Sequence, residues 1–480
     1  MEAAVEPATQ TVSRTSYRKG FETLDTQIEL YSLPIEGSMP EWLTGTLLRN
    51  GPARFEVGER PLRHWFDGLA MLHRFSFGGG SVSYANRFLQ GKSYEAAERD
   101  GKIAYSEFAT DPCRSIFRRA ATLFRPQITD NCNVNLTRLG NEYIAMTETP
   151  LPVAFDPETL ETLGVAFKPP GIHATAHPHH DPERNELIAY VTHFGPRSEY
   201  RVFAQRDRST QRRIASQRVG EPSYMHSFAL TERYAVLVAF PLVVNPLDLA
   251  LAGRPFIENY RWKPELGTRV LVLDREDGRL RGAYEAEPRF SFHHVNAFER
   301  GGELVIDMAA YDDATIVDSL YLERLRTAPP PPSALARLLR YRVDLAAGAV
   351  SEEELSDAAL ELPRIDYRER NGRPYRYTWG VGAPAAMEED DFLDRLVKID
   401  VDSGETTEWR EAGSFPGEPV FVPAPQRGGR EDEGVLLSVV LDAGAESSYL
   451  LVLDAADMSE VGRARVPHHI PFGFHGQYFS

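Results

Sequence analysis

An apolar strand that ends in aspartate and turns back within a few residues recurs five times in this chain. Aspartate, with the glycine that often follows it, supplies the side-chain hydrogen bonds and the positive φ angle that tight hairpin turns need. The separations are 118, 70, 58 and 52 residues, between Asp156, Asp274, Asp344, Asp402 and Asp454. A period of about 60 residues fits one four-stranded blade of a β-propeller, and seven blades of about 65 residues would use up the chain.

Ordinary hairpins in a β-sandwich would give a similar signal, so the period alone leaves both architectures open. The predicted fold class is all-β, a seven-bladed β-propeller with a small cap of helices and loops over its top face. Short helices are predicted after Asp111 and Pro112, after the capping-box pattern that begins at Ser351, and over residues 333–340. No linker divides the chain, so we predict a disordered tail over residues 1–15 and one domain over residues 16–480.

Composition excludes several classes of protein. The net charge of −17 argues against nucleic-acid binding, which needs a basic surface. No apolar run approaches the roughly 18 residues of a membrane span, and residues 1–20 are too polar to predict a signal peptide. The two cysteines, Cys113 and Cys132, cannot form a thiolate metal site and favour a reducing compartment. We therefore expect a cytoplasmic protein with no nucleic-acid partner.

Four of the 13 histidines lie in strand-like, aromatic-rich strings far apart in the chain. They are His177, His226, His293 and His475, separated by 49, 67 and 182 residues, or roughly one, one and three blades. One inward residue from each inner strand would bring all four to the propeller axis. Imidazole nitrogen binds iron, zinc and copper alike, so the pattern predicts a metal site without naming the metal.

Other histidines are weaker candidates. His179 shares a strand face with His177, so a local pair of these two residues remains an alternative. Alternation places His180 opposite His179 and His294 opposite His293, and His468 and His469 lie outside the aromatic strings.

Three glutamates lie in apolar, proline-flanked strings: Glu148, Glu361 and Glu418. A metal held by four neutral imidazoles favours nearby carboxylates, each accepting the second ring N–H of a histidine and fixing its tautomer. Each glutamate taken alone would also fit the edge of a turn.

Several longer strings resemble signatures of the carotenoid cleavage oxygenase family. They are residues 47–52 (LLRNGP), 65–75 (WFDGLAMLHRF), 175–179 (TAHPH), 292–296 (FHHVN), 417–423 (GEPVFVP) and 474–476 (FHG). The resemblance covers the chain from about Gly37 to its end. It implies a seven-bladed propeller, Fe(II) and O₂, with His177, His226, His293 and His475 as ligands and Glu148, Glu361 and Glu418 behind them.

Residues 106–108 (SEF), 111–113 (DPC) and 129–131 (TDN) are most similar to the animal β-carotene oxygenase and retinoid isomerohydrolase branch. Residues 307–310 (DMAA) replace the cysteine pair of the isomerohydrolase, which argues against that reaction on a retinyl ester. Thr147 stands where stilbene-cleaving relatives carry lysine, which argues against a stilbene substrate.

The resemblance thus implies a non-haem iron dioxygenase that cleaves one conjugated double bond of a carotenoid or apocarotenoid. The products would be two carbonyl compounds of the apocarotenal or retinal type, and no catalytic residue beyond the iron centre is expected. No phosphate-binding loop, dinucleotide fingerprint or nucleophile elbow is found. The alternatives are a stilbenoid-cleaving dioxygenase of the lignostilbene type and a catalytically silent apocarotenoid-binding propeller.

A basic amphipathic segment over residues 113–124 predicts peripheral contact with a membrane surface. Its apolar stripe contains Cys113, Ile116, Phe117 and Phe124. Packing of the same stripe on the propeller is the alternative. Residues 242–257, rich in leucine, predict a second apolar lip.

Overall fold

The computed structural model describes residues 16–112, 128–251, 253–384 and 391–480. Their strands form seven antiparallel sheets of four to six strands, which are the blades of a β-propeller, and two small hairpins. Innermost strands of neighbouring blades contact one another, as Phe290–Arg300 of blade 5 does with Ala229–Leu230 of blade 4 and Glu361–Arg364 of blade 6, and so surround the central axis. The predicted all-β, seven-bladed propeller is confirmed.

The blades are numbered in chain order, and their strands follow. Blade 1 contains Glu29–Leu30, Gly45–Arg54, Leu69–Gly78, Ser81–Phe88 and Gly476–Phe479; blade 2 contains Asn135–Leu139, Glu142–Met146, Val153–Phe155 and Thr162–Val165. Blade 3 contains His173–Ala174, His179–Asp181, Glu186–His193, Ser198–Gln205 and Gln211–Val219; blade 4 contains Ala229–Leu230, Tyr234–Ala239, Thr268–Asp274 and Leu280–Ala286. Blade 5 contains Phe290–Arg300, Glu303–Tyr311, Arg337–Asp344 and Ala349–Ala359; blade 6 contains Glu361–Arg364, Tyr377–Gly382, Arg395–Asp400 and Thr406–Arg410. Blade 7 contains Ile35–Gly37, Ser414–Pro416, Val420–Pro423, Gly434–Asp442, Ser447–Asp454 and Glu460–Val466, and the small hairpins pair Glu56–Val57 with Arg60–Pro61 and Leu242–Val243 with Arg261–Trp262.

Strands from both ends of the chain close the ring. The early strand Ile35–Gly37 pairs with Glu460–Val466 at the outer edge of blade 7, and the last strand, Gly476–Phe479, pairs with Gly45–Arg54 of blade 1. Neighbouring blades also pack face to face, because Phe75 of blade 1 and Val452 of blade 7 share one apolar cluster. The closed ring fixes the position of the inner strands, which carry the candidate ligands.

The repeated aspartates join the third strand of a blade to its fourth. Asp156, for example, accepts hydrogen bonds from the backbone N–H groups of Glu158 (2.9 Å) and Thr159 (2.8 Å). In blade 6 the turn residue is Asp400 and not the predicted Asp402, whose N–H donates to Asp400. The long first gap contains blade 3, where Asp207 forms the corresponding turn two residues beyond the strand.

The helices in the described ranges are short. They are Ser16–Phe21, Trp65–Asp67, Lys92–Asp100, Pro246–Leu251, Ile257–Asn259, Pro264–Leu266, Thr315–Ser319, Leu322–Leu325, Pro332–Ala334 and Tyr367–Arg370. None of them has the length and apolar character to cross a membrane.

Two helix predictions are wrong. Ser351 lies within the strand Ala349–Ala359, and residues 337–340 begin the strand Arg337–Asp344. The predicted tail (residues 1–15) and the amphipathic segment with Cys113, Ile116, Phe117 and Phe124 lie outside the described residues. The single domain over residues 16–480 stays a prediction.

Candidate metal centre

Four imidazoles meet on the propeller axis. His177 lies between the two short inner strands of blade 3, His226 precedes the inner strand of blade 4, His293 lies within that of blade 5, and His475 directly precedes Gly476–Phe479. One nitrogen from each ring lies within 4.8 Å of the nitrogens of the other three. The Nε2 atoms of His177 and His226 are 2.9 Å apart, and those of His293 and His475 are 3.1 Å apart.

Three carboxylates hold three of these rings from behind. His226 Nδ1 lies 2.7 Å from Glu148 Oε1, His293 Nδ1 lies 2.6 Å from Glu361 Oε2, and His475 Nδ1 lies 2.7 Å from Glu418 Oε1. The structure therefore brings together all seven residues that the sequence pattern and the resemblance single out, and it pairs them one to one in three cases.

His177 and His179 do not form a local metal-binding pair. His179 does not point to the axis: its Nε2 lies 2.9 Å from the Phe228 carbonyl and its Nδ1 3.1 Å from Asn371 Oδ1. His294 Nδ1 lies 2.8 Å from Ser227 Oγ. Of the histidines that the structure describes, only the four predicted ones form the axial cluster.

The arrangement favours a bound cation. A carboxylate only accepts hydrogen bonds, so Nδ1 carries the ring proton in His226, His293 and His475, and Nε2 presents a lone pair. The facing Nε2 atoms of His293 and His475, 3.1 Å apart, then repel each other unless a positive ion lies between them. Four imidazole nitrogens suit iron, zinc or copper. These residues therefore fit a transition metal.

Each carboxylate is itself anchored. Tyr224 donates to both oxygens of Glu148 (3.0 Å each), and Tyr311 donates to Glu361 Oε1 (2.5 Å). Burial raises the pKa of the Glu148 and Glu361 carboxyls, but the adjacent histidines outweigh it, and both pKa values lie below the ordinary value. Both groups are therefore anionic at neutral pH.

Glu418 has a different environment, because two arginines pair with it. Arg49 Nη1 lies 2.6 Å and Arg364 Nε 3.0 Å from its oxygens, and the backbone N–H of Gly476 donates to it at 2.9 Å. Burial raises the pKa of Glu418, yet Arg364, His475 and Arg49 together lower it to about 2.

Sequence reasoning missed Arg49, Arg364, Tyr224 and Tyr311. Arg49 belongs to the quoted string at residues 47–52, and Tyr224 lies two residues before His226. Both therefore carried a local signal. Arg364 and Tyr311 meet Glu418 and Glu361 only through the packing of consecutive blades, so no local pattern shows them.

A large cavity of about 1190 Å³ leads to this centre. His226, His293 and His475 contribute to its inner end, and most of its wall is aromatic or aliphatic, including Phe66, Phe108, Phe256, Phe292 and Phe474. Leu247 and Leu251 also line it, and because they are 63% and 70% exposed, the cavity opens to solvent beside the helix Pro246–Leu251. The predicted apolar lip lies at this mouth.

Comparisons with known proteins agree with this geometry. The family described as "Retinal pigment epithelial membrane protein" matches residues 21–480. The carotenoid-cleaving dioxygenase, mitochondrial, of Macaca fascicularis is 35% identical, over 93% of this chain and 91% of that protein. The β,β-carotene 15,15′-dioxygenase of Mus musculus is 33% identical, over 94% of this chain and 89% of that protein. The crystal structure of cobalt-substituted Synechocystis ACO superposes with a TM-score of 0.87 at 27% identity, over 98% of this chain and 99% of that one.

Proposed function

This chain belongs to the carotenoid oxygenase family described as "Retinal pigment epithelial membrane protein", and from that membership we propose its reaction. It is an oxygenase, and we propose that it cleaves one conjugated double bond of a carotenoid or apocarotenoid with O₂. Two aldehydes of the apocarotenal or retinal type are the products. The observation that carries the proposal is the four-histidine centre at the inner end of a long apolar cavity.

We propose Fe(II) as the metal, held by His177, His226, His293 and His475. Bound iron supplies the one-electron chemistry that O₂ activation needs. Glu148, Glu361 and Glu418 keep the Nδ1 protons of three ligands in place and so keep each Nε2 available for the metal. No other metal-ligating cluster is found in the described ranges.

The cavity wall binds and orients the polyene. An apolar substrate buries its surface against Phe66, Phe292 and Phe474 beside the ligands, and water is excluded from the same space. A polyene needs no protein acid or base for oxidative cleavage. The cavity wall agrees with this, because its carboxylates near the metal, Glu148 and Glu361, are already hydrogen-bonded to histidines. Depth of insertion selects the bond that reaches the centre.

We further propose that the mouth docks on a membrane surface on the cytoplasmic side, where a carotenoid partitions. The support is the position of Leu247 and Leu251, two strongly exposed leucines at the opening of an apolar cavity. Leu247→Ser with Leu251→Ser should reduce co-sedimentation with lipid vesicles. Leu163→Ser is the matched control, because Leu163 is 60% exposed but does not line the cavity. Equal binding by both variants would refute the docking proposal.

Anaerobic loading with Fe(II), followed by exposure to O₂, tests the reaction. β-Carotene, apo-8′-carotenal and resveratrol are supplied separately in detergent, and products are identified by mass and absorbance. Loss of the polyene band with two carbonyl fragments is the expected result. His226→Ala should abolish it, whereas His180→Ala, which changes an exposed histidine of blade 3, should not. If only resveratrol is cleaved, the protein is a stilbenoid dioxygenase. If no substrate is cleaved and the protein has bound no iron after loading, a binding protein is the better account.

A further inference from the structure

His173 is a buried histidine of the cavity wall that the metal centre does not use. It is 4% exposed, lies on the first strand of blade 3 and lines the cavity. Its ring stacks on Phe256 at 5.1 Å, on the side of the mouth, and lies 5.9 Å from the ring of Tyr224, which donates to Glu148. His173 therefore occupies the passage between the mouth and the metal centre.

One nitrogen of this ring has no partner. The Met225 carbonyl lies near enough to the ring to raise the pKa of His173 as an acceptor does, whereas Nε2 is buried and makes no hydrogen bond. Since a carbonyl only accepts, Nδ1 carries the proton and Nε2 presents a lone pair. Burial holds the pKa of His173 below its ordinary value, so the ring is neutral at physiological pH. Nε2 can therefore accept a hydrogen bond and cannot donate one.

A second unsatisfied group lies beside it. Thr192 is directly opposite His173 in the antiparallel strand pair, so the two side chains share a face, and Thr192 Oγ1 is also buried without a partner. A buried polar atom left unpaired destabilises the folded protein. Two such atoms on paired residues, of which His173 lines the cavity, indicate a place for a polar ligand group. Phe256 stacks on one face of the imidazole, and because Nε2 is buried, a ligand group reaches it when this part of the wall shifts.

We propose that His173 selects polyenes with a hydroxylated end, by accepting a hydrogen bond from the substrate hydroxyl at Nε2. The proposal rests on the proposed function and adds a specificity residue to it. An acceptor distinguishes a hydroxyl from both a hydrocarbon and a carbonyl end, because only the hydroxyl donates. The cavity wall is otherwise mostly apolar, and in such a site a few polar groups set orientation and specificity.

Two substrate pairs test the proposal. Zeaxanthin and β-carotene differ only in ring hydroxyls, and apo-8′-carotenol and apo-8′-carotenal differ only in a terminal alcohol or aldehyde. The readouts are the ratio of kcat/KM within each pair and, on metal-free protein, the ratio of dissociation constants from quenching of tryptophan fluorescence. In His173→Leu the preference for the hydroxylated member should fall by roughly threefold to tenfold in at least one pair. His173→Gln, which keeps an uncharged acceptor, should retain most of it.

His180→Leu is the matched control and should leave both ratios unchanged. Unchanged ratios in His173→Leu for both pairs would overturn the proposal, as would an equal loss in His173→Gln. Failure of the proposed function is a separate outcome. If the protein binds the hydroxylated polyene preferentially but the iron-loaded protein cleaves no substrate, the His173 subsite is supported and the proposed reaction is refuted.

Discussion

Replacing Glu361 and Glu418 with glutamine, one at a time, should separate metal binding from folding. Glu418 is 1% exposed and pairs with Arg49, which is 6% exposed, so Glu418→Gln leaves a buried guanidinium without its carboxylate. Breaking a buried ion pair in this way costs about 3–5 kcal/mol. Glu361 accepts from the neutral donors Tyr311 and the Leu362 N–H, and weakening such bonds costs about 1 kcal/mol.

These costs translate into different unfolding temperatures. An unfolding entropy of roughly 2.1 cal/mol/K per residue gives about 1 kcal/mol/K for 480 residues. In metal-free protein, Glu418→Gln should therefore lower Tm by about 3–5 °C and Glu361→Gln by about 1 °C. Both should weaken metal binding by about 10- to 100-fold, because each loses the charge behind a ligand imidazole.

Differential scanning calorimetry of the metal-free variants and competition titration with Co(II) measure the two effects. Equal Tm shifts would refute the assignment of Arg49 and Arg364 to Glu418 as a buried ion-pair network. Unaltered Co(II) affinity in Glu361→Gln would refute the role of that carboxylate in holding His293.

Three further results are expected. Chelation should lower Tm, since the facing imidazoles lose the cation between them. Adding Co(II) or Zn(II) at about 1,000 times its Kd should restore about 4 kcal/mol of unfolding free energy. An unchanged Tm would contradict a metal in the folded centre. Burial raises the pKa of Asp274, but the Glu276 N–H, Arg281 and Arg233 together lower it to about 2. Ionised Asp274 therefore stabilises the folded protein above its ordinary pKa of 3.8, and this stabilisation is lost as the pH falls from about 4 towards 2. Asp274→Asn should flatten this part of the acid-stability curve, and an unchanged curve would count against the shift. Asp307→Ala removes two hydrogen bonds to buried Arg340 (2.7 and 2.8 Å) and should cost about 3–5 kcal/mol of unfolding free energy, measured as Tm; a change below 1 °C would contradict it.

The propeller could be predicted because five blades turn from the third strand to the fourth with the same local chemistry. Asp156, Asp274, Asp344 and Asp454 each accept a hydrogen bond from the backbone N–H two residues ahead, which is a local signal. Blade 3 escaped notice because its turn residue, Asp207, follows the strand after a gap instead of ending it. The aspartate turn is therefore present in blade 3, but it lies two residues beyond the end of the strand Ser198–Gln205.

The false helix at Ser351 has a physical cause. The strand Ala349–Ala359 is the outermost strand of blade 5, so Glu353 and Glu354 face solvent there. A capping-box pattern records only that serine and glutamate are three residues apart. An exposed edge strand tolerates the same residues, and the tertiary position decided between them.

The candidate site could be predicted as a set of histidines but not as a charge distribution. His177, His226, His293 and His475 lie in recognisable strings, and carboxylates behind them follow from the chemistry of imidazole ligands. Arg49 and Glu418 are 369 residues apart in sequence, and only ring closure brings them together. No spacing rule reaches across that distance.

That charge distribution is uneven in a way that bears on the reaction. Glu148 and Glu361 line the cavity and are anchored by tyrosines, whose pKa values lie well above the ordinary value, so these phenols stay neutral. Glu418 is not part of the described cavity wall, and it carries both arginines. The two arginines of Glu418 therefore lie behind the centre, and the carboxylates of Glu148 and Glu361 line the cavity without an arginine partner. Oxidative attack withdraws electrons from a polyene, and we expect the positive charge that develops on it to be stabilised by Glu148 and Glu361, because fixed charges act strongly in a site that excludes water. An arginine paired with Glu148 or Glu361 would oppose the same charge, which is a reason for anchoring both carboxylates with neutral phenols.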